Sequence, residues 1–395
     1  MSRQTASIQA MSKHSVVTIY LAALVTGGVI VTFPASSTIL RERLEIGDTL
    51  YGALFLPVLI LAAVSALASP ILLRRWSLQA LFRWAQISLA VSMILMAVSP
   101  FLGRDLGVAT LILAMTAFGP GGGLIGLVLN TGAIENFPRA RSGALTALHG
   151  VIGVGAALWP MIIAVAARAN VWFAAPLGLA VIILGITVFA GKKPVVGWPR
   201  IPNGFKERLH IPGRLWARST TVLIYGIGEG TFTAWAVIFL SENKGLPLEI
   251  AAGALSSFWF AMMAGRMLST VIVRRVEPLW ITLILAAGMA LSFVLVSGSN
   301  GAIDSLLRFG LAGFFCSALF PLLLSLASEE LPHHTPQVSA LFSASVAMGL
   351  IGGTFGVGPL RALLGLQHIY TYSAIWPVLI ITLLLTMRRW PKTQV

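Results

Sequence analysis

Long apolar runs alternate with short polar gaps along nearly all of this 395-residue chain. A helix needs about 20 mostly apolar residues to cross about 30 Å of hydrocarbon. On that measure the pattern predicts spans at about 16–39, 49–73, 78–99, 107–134, 142–167 and 171–190. A second set follows at about 217–240, 249–273, 279–298, 303–327, 338–362 and 369–387. The longest polar gap, 191–215, lies between the sets and carries Lys192, Lys193, Arg200, Lys206, Arg208 and Arg214. The expected fold is therefore an all-α membrane protein with an N-terminal six-helix bundle (1–190), a cytoplasmic linker (191–215) and a C-terminal six-helix bundle (216–395).

Composition strengthens this reading. The chain is 57% hydrophobic and 10% charged, whereas soluble domains carry about 25% charged residues, so the surplus apolar surface must meet lipid. The net charge of +14 does not point to nucleic acid, because the basic residues form no stripe but sit in gaps between spans. They act instead as topology signals, since Lys and Arg are retained on the cytoplasmic side. Arg3, Lys13, Arg74, Arg75, Arg83, Arg139, Arg141, the linker cluster, Arg274, Arg275, Arg388, Arg389 and Lys392 fall on one side. Only Arg41, Arg43, Arg104, Arg168, Lys244 and Arg361 fall on the other. Both termini are thus expected inside, with the first span serving as the targeting signal and no removable signal peptide. The single cysteine, Cys316, allows no intramolecular disulfide and reads as a small core residue.

The halves carry traces of duplication, as transporters built from repeats do. At an offset of about 200 residues, Arg74-Arg75 correspond to Arg274-Arg275, and Ala144, Leu145 and Gly153 to Ala340, Leu341 and Gly349. Glycines crowd the fourth span (Gly119, Gly121, Gly122, Gly123) and the eleventh (Gly349, Gly352, Gly353, Gly356, Gly358), where small residues let helix backbones approach closely in lipid.

Ionisable residues inside spans are costly and mark function by default. Glu229 is the clearest, flanked by Tyr225-Gly226-Ile227-Gly228 and Gly230 in the seventh span. A carboxylate there can take up and release a proton or orient a solute, with Tyr225 as a hydrogen-bond partner. Trp235 follows six residues on, where it could stack on a sugar ring or serve the interface. Arg266, in the eighth span, reads as a gating or interhelical group or a substrate contact. Asn130 and His149 are polar groups in the fourth and fifth spans that need partners. Trp159, Trp259 and Trp376 are expected mainly at interfaces and in lipid contacts. Asp304 with Arg308, and Glu135 with Arg139, have the i, i+4 spacing of ordinary helical pairs. No phosphate-binding loop, His-Glu-x-x-His motif or cysteine cluster occurs, so neither an enzyme nor an ATP-driven pump is indicated. His333 and His334 near Glu329 and Glu330 read as a solvated loop, leaving no expected metal or cofactor.

Several of these segments resemble the fucose permease-like branch of the major facilitator superfamily. The likeness rests on Leu148-His149-Gly150 with Gly153, Gly155, Ala156 and Pro160; on Gly228, Glu229 and Trp235; on Ser257-Phe258-Trp259 with Gly265-Arg266; and on the glycine-rich fourth span with Asn130. The first span holds no carboxylate, Gly126 stands where the branch carries an acid, and the loop after the second span keeps only Arg74-Arg75 of the superfamily signature. The resemblance implies a secondary transporter working by alternating access, a proton symporter of a sugar or related polar solute. It would be a monomer embedded in lipid in the bacterial inner membrane. The alternatives are an uncoupled facilitator or exporter of organic anions or amphipathic compounds, and a non-transporting membrane receptor or scaffold of the same fold.

Overall fold

A computed structural model describes residues 13–137, 141–191, 213–330 and 335–388. Its helices are α1 (Lys13–Ala35), α2 (Ser37–Leu44), α3 (Asp48–Ala53), α4 (Phe55–Arg75), α5 (Leu78–Val98), α6 (Arg104–Asn136), α7 (Arg141–Arg168) and α8 (Ala174–Ala190). They continue as α9 (Gly213–Ile238), α10 (Leu248–Ile272), α11 (Pro278–Ser297), α12 (Ala302–Cys316), α13 (Leu319–Glu330), α14 (Thr335–Thr354), α15 (Val357–Tyr372) and α16 (Ile375–Arg388). Among the described residues nine stretches are long and apolar enough to cross a membrane, and a bent pair adds a tenth. The shorter apolar helices α8 and α16 fall on the remaining predicted spans, so the pattern of twelve crossings is kept. Most of the predicted linker lies outside the described residues, as do Arg3, Arg139, His333, His334, Arg389 and Lys392.

The last two spans divide less simply than hydropathy suggests. The eleventh bends by 60° between Leu341–Thr354 and Val357–Tyr372, and Gly365, at φ 72°, interrupts the outer arm. At 1.5 Å per residue the 14 residues of α16 reach only about 21 Å, short of about 30 Å of hydrocarbon. The residues after Gly365 supply the missing length, so α15 holds both the end of the eleventh crossing and the start of the twelfth.

Local chemistry places the other boundaries. Ser77 caps α5 by accepting from the Ala80 N–H at 3.1 Å, satisfying one of the donors a helix start leaves free. Gly103 (φ 73°) and Gly301 (φ 83°) precede α6 and α12, a left-handed conformation that glycine adopts without strain. These two turns lie 198 residues apart, which extends the two-fold repetition to the loops. Within the tenth crossing Pro321 has no N–H to give the Ser317 carbonyl, and the helix breaks between α12 and α13.

In the first half α1 packs on α7, α5 on α6 and α4 on α6; in the second, α9 packs on α14 and α10 on α12. The halves meet through α7 against α10 and α4 against α14. Close approach is what the glycines provide. A Cβ added at Gly155 would lie 1.9 Å from the Leu24 carbonyl oxygen, and one at Gly349 would lie 2.0 Å from that of Leu223. The α1–α7 and α9–α14 crossings thus use the same device. Buried aromatics fill the second half, with Phe232 stacked on Phe293 at 4.0 Å and Tyr370 beside Phe239 at 4.6 Å. Outside, large apolar side chains such as Ile303, Val181 and Leu363 are left bare, as suits a surface that lipid covers.

Candidate functional site

Glu229 sits within α9, half-buried, on a helix whose neighbouring residues Tyr225, Gly228, Gly230 and Phe232 are buried. The Tyr225 hydroxyl lies beside its carboxyl and donates to the Cys316 carbonyl at 3.1 Å. The Arg266 guanidinium is close enough for its charge to act on Glu229, yet it forms no ion pair with it among the described residues. Arg266 is instead engaged by the broken tenth crossing: its Nε donates to the Ser317 carbonyl at 2.8 Å, and its Nη2 contacts the Met262 sulfur at 3.3 Å. The carbonyl that Pro321 orphans is therefore satisfied by an arginine from α10. Tyr225 and Arg266 hold adjacent carbonyls of the same break, and that places both beside Glu229.

His149 comes to this group from the other half. It is exposed on α7, within the electrostatic reach of Arg266. The facing contacts agree, since a side-chain atom at Gly153 would meet Met263, and one at Gly253 would meet Met161. On these antiparallel helices, His149 and Arg266 fall at one level. Asn130, on α6, is half-buried, and its Oδ1 is buried with no protein partner. The indole nitrogens of Trp159 and Trp259 are likewise buried and have no hydrogen-bond partner among the described residues.

Trp235 stands apart. It is fully buried and lies about 9 Å along α9 from Glu229, at 1.5 Å per residue. Its Nε1 donates to the Thr354 carbonyl at 3.0 Å, at the bend of the eleventh crossing, where helical donors run out. Tyr51 meets its ring edge-on at 5.0 Å and donates to the Ala234 carbonyl at 2.6 Å. Tyr51 belongs to the first half and Ala234 to the second, so this layer joins the two halves on the side of Glu229 away from the linker.

Beyond the layer lie four charged groups that hydropathy does not single out. Arg41 donates to Asp48 at 2.6 Å and also pairs with Glu242; Arg361 donates to Asp48 at 2.6 Å and to Glu242 at 2.8 Å. A crevice of about 570 Å³ opens beside them, lined by Thr38, Arg41, Glu42, Ser241 and Glu242 among others. On the linker side Arg218 pairs with Glu330 at 2.5 Å. The expected Asp304–Arg308 pair is present at 2.5 Å, while Arg139, the partner expected for Glu135, lies outside the described residues. Among the described residues no cluster of His, Cys, Asp and Glu could hold a metal ion.

Comparison with known proteins agrees with this architecture. A protein of Erwinia tasmaniensis described as a TsgA homolog is 27% identical over 54% of this chain and 55% of its own length. A putative glucose/galactose transporter of Helicobacter pylori is 28% identical over 33% of this chain and 31% of that one. The chain thus spans about half the length, or less, of these curated relatives. Among solved structures, a D-xylose-proton symporter superposes with a TM-score of 0.78 at 15% identity, covering 96% of this chain and 98% of that one, a likeness of fold. The model of the Major Facilitator Superfamily matches residues 19–356, and the chain belongs to that superfamily.

Proposed function

We propose that this protein is a secondary transporter that couples movement of a sugar or a related polar solute across the membrane to protons, with Glu229 as the coupling group. The observation that carries this reading is a carboxylate within a membrane-crossing helix that, among the described residues, no cation holds in a salt bridge, although Arg266 and Tyr225 lie beside it. A carboxylate fixed to a permanent cation could not exchange a proton through the cycle. One poised near a cation that is otherwise engaged can. Asn130 and His149 face the same cleft from the first half in this reading, with the unpartnered Asn130 oxygen available to a solute hydroxyl.

The names of the relatives in the comparison, a glucose/galactose transporter and a xylose-proton symporter, support a sugar-like solute. The relatives are bacterial, which supports placement in a bacterial inner membrane. The distribution of Lys and Arg supports cytoplasmic termini. On that orientation the layer of Tyr51 and Trp235 lies toward the periplasm, and this reading takes the cleft to open inward. A monomer would suffice, since each half of the cleft comes from one chain.

The cationic Arg266 beside exposed His149 favours one second reading, an uncoupled carrier of organic anions. Proton uptake by proteoliposomes, measured against a panel of sugars, polyols and organic acids, separates the two. Solute-dependent proton movement that Glu229→Gln abolishes is the expected result. Flux of an organic acid with no proton movement, unchanged by that substitution, would establish the second reading.

A further inference from the structure

The four charges at the closed end form a ring of alternating sign, and its connectivity is informative. Arg41 and Asp48 belong to the first half, Glu242 and Arg361 to the second. Two of the pairs, Arg41 with Glu242 and Asp48 with Arg361, cross between the halves. The other two, Arg41 with Asp48 and Arg361 with Glu242, stay within one half. Both arginines are largely buried, at 13% and 14% exposure, while the carboxylates are more open. Parting the halves therefore takes from each partly buried guanidinium one of its two carboxylate partners, the one across the cleft, which opposes separation at this end.

The ring also sits at the end of a bent element. Arg361 lies on α15, beyond the 60° bend of the eleventh crossing and before Gly365. The backbone of this arm and of the bend before it touches the other half directly: an atom added at Gly358 would meet the Asp48 carbonyl at 2.7 Å, and one at Gly52 would meet that of Thr354, at the end of α14, at 3.0 Å. Glu242 sits in a widened π turn that ends the seventh crossing, about 20 Å along the chain axis from Glu229.

We propose that Arg41, Asp48, Glu242 and Arg361 are a charge latch that holds the cleft shut on this side, and that the α15 arm before Gly365 is the leaf it fastens. The proposal rests on the alternating-access reading above. The latch lets go when the site is exposed to the side facing Arg41, and it re-forms when the cleft turns toward the linker. The inter-half pairs fasten it; the intra-half pairs only hold each arginine ready.

Two double variants test this, each removing one cation and one anion and each leaving one ion pair. Arg41→Gln with Asp48→Asn leaves Arg361–Glu242, which lies within the second half. Asp48→Asn with Arg361→Gln leaves Arg41–Glu242, which still spans the halves. In a Cys316→Ala background, Phe55→Cys, beneath the Tyr51 layer, reports opening on the Arg41 side. His149→Cys reports access from the linker side. Each is labelled with a membrane-impermeant maleimide applied to one face of the membrane and then the other.

The first double variant should label Phe55→Cys about tenfold faster than the parent, the size of a typical coupling between two states. It should slow labelling of His149→Cys in the same measure. The second should stay within about threefold of the parent at both positions. Partial unfolding would speed both reporters, so reciprocal changes separate a shifted equilibrium from damage. Equal labelling in the two double variants, or acceleration at both reporters, overturns the latch. Because the assay needs no solute, failure of the coupling reading would show separately, in the flux assay, as solute movement without proton movement, with the labelling pattern intact.

Discussion

At the residue level, function and structure converge on one carbonyl. Pro321 frees Ser317 of its helical donor, Arg266 takes its place, and the same guanidinium then stands beside Glu229. Lysine cannot reproduce that planar, fixed donor. Arg266→Lys should lower stability by about 1–3 kcal/mol, the range for a buried acceptor left unsatisfied, visible as a reduced thermal midpoint in detergent. Transport should fall with it. An unchanged midpoint would mean that the Ser317 carbonyl finds another donor and that Arg266 serves the solute alone. Trp235 makes the parallel case: Trp235→Phe keeps the ring and removes the bond to Thr354. It should destabilise by a similar 1–3 kcal/mol or so while leaving solute affinity nearly unaltered. A large loss of affinity would restore the ring to the binding site.

The same residues show what a sequence discloses. Glu229 stood out because a carboxylate amid apolar residues and glycines has few structural excuses. Arg266 stood out for the same reason, but its partner did not, since Ser317 lies 51 residues away and becomes an acceptor only because a proline follows four positions later. That proline was the available signal. Trp235 drew notice because it is close to Glu229 in sequence, although six residues turn it about 240° around the helix; its N–H is directed to the Thr354 carbonyl at the bend.

At the level of elements, apolar length alone located the crossings, because lipid penalises every unpaired backbone group and leaves only helices or closed barrels. The boundaries that moved are those that hydropathy does not encode, such as the interruption at Gly365 and the break at Ser317. The glycine-rich eleventh crossing was legible as a close-packed surface, and the structure assigns Gly349 to the α9–α14 contact. Gly349→Val would drive a side chain into the Leu223 carbonyl, and overpacking of this kind costs about 1–3 kcal/mol. The expected result is a lower thermal midpoint, with Gly178→Val, at a glycine with open space around it, close to the parent. Equal effects at both positions would mean that the crossing relaxes around the added bulk.

For the whole molecule, the two halves are joined on the side of Arg41 and Trp235, and His149 is exposed on α7. None of the contacts that close the cleft could be read from local pattern. Arg41 and Glu242 are 201 positions apart, and Asp48 and Arg361 are 313 apart, so only the folded arrangement pairs them. Their nearest trace in the sequence is that Arg41 and Glu242 fall near the 200-residue offset of the repeat, at matching ends of the first and seventh crossings.

The most direct test of proton coupling through Glu229 is solute accumulation in proteoliposomes under an imposed pH gradient, with counterflow exchange measured in the same vesicles. Glu229→Gln should retain counterflow, since binding and rocking need no net proton, while accumulation falls to the equilibrium level. A variant that still concentrates solute against its gradient would contradict the account and remove Glu229 from the coupling step.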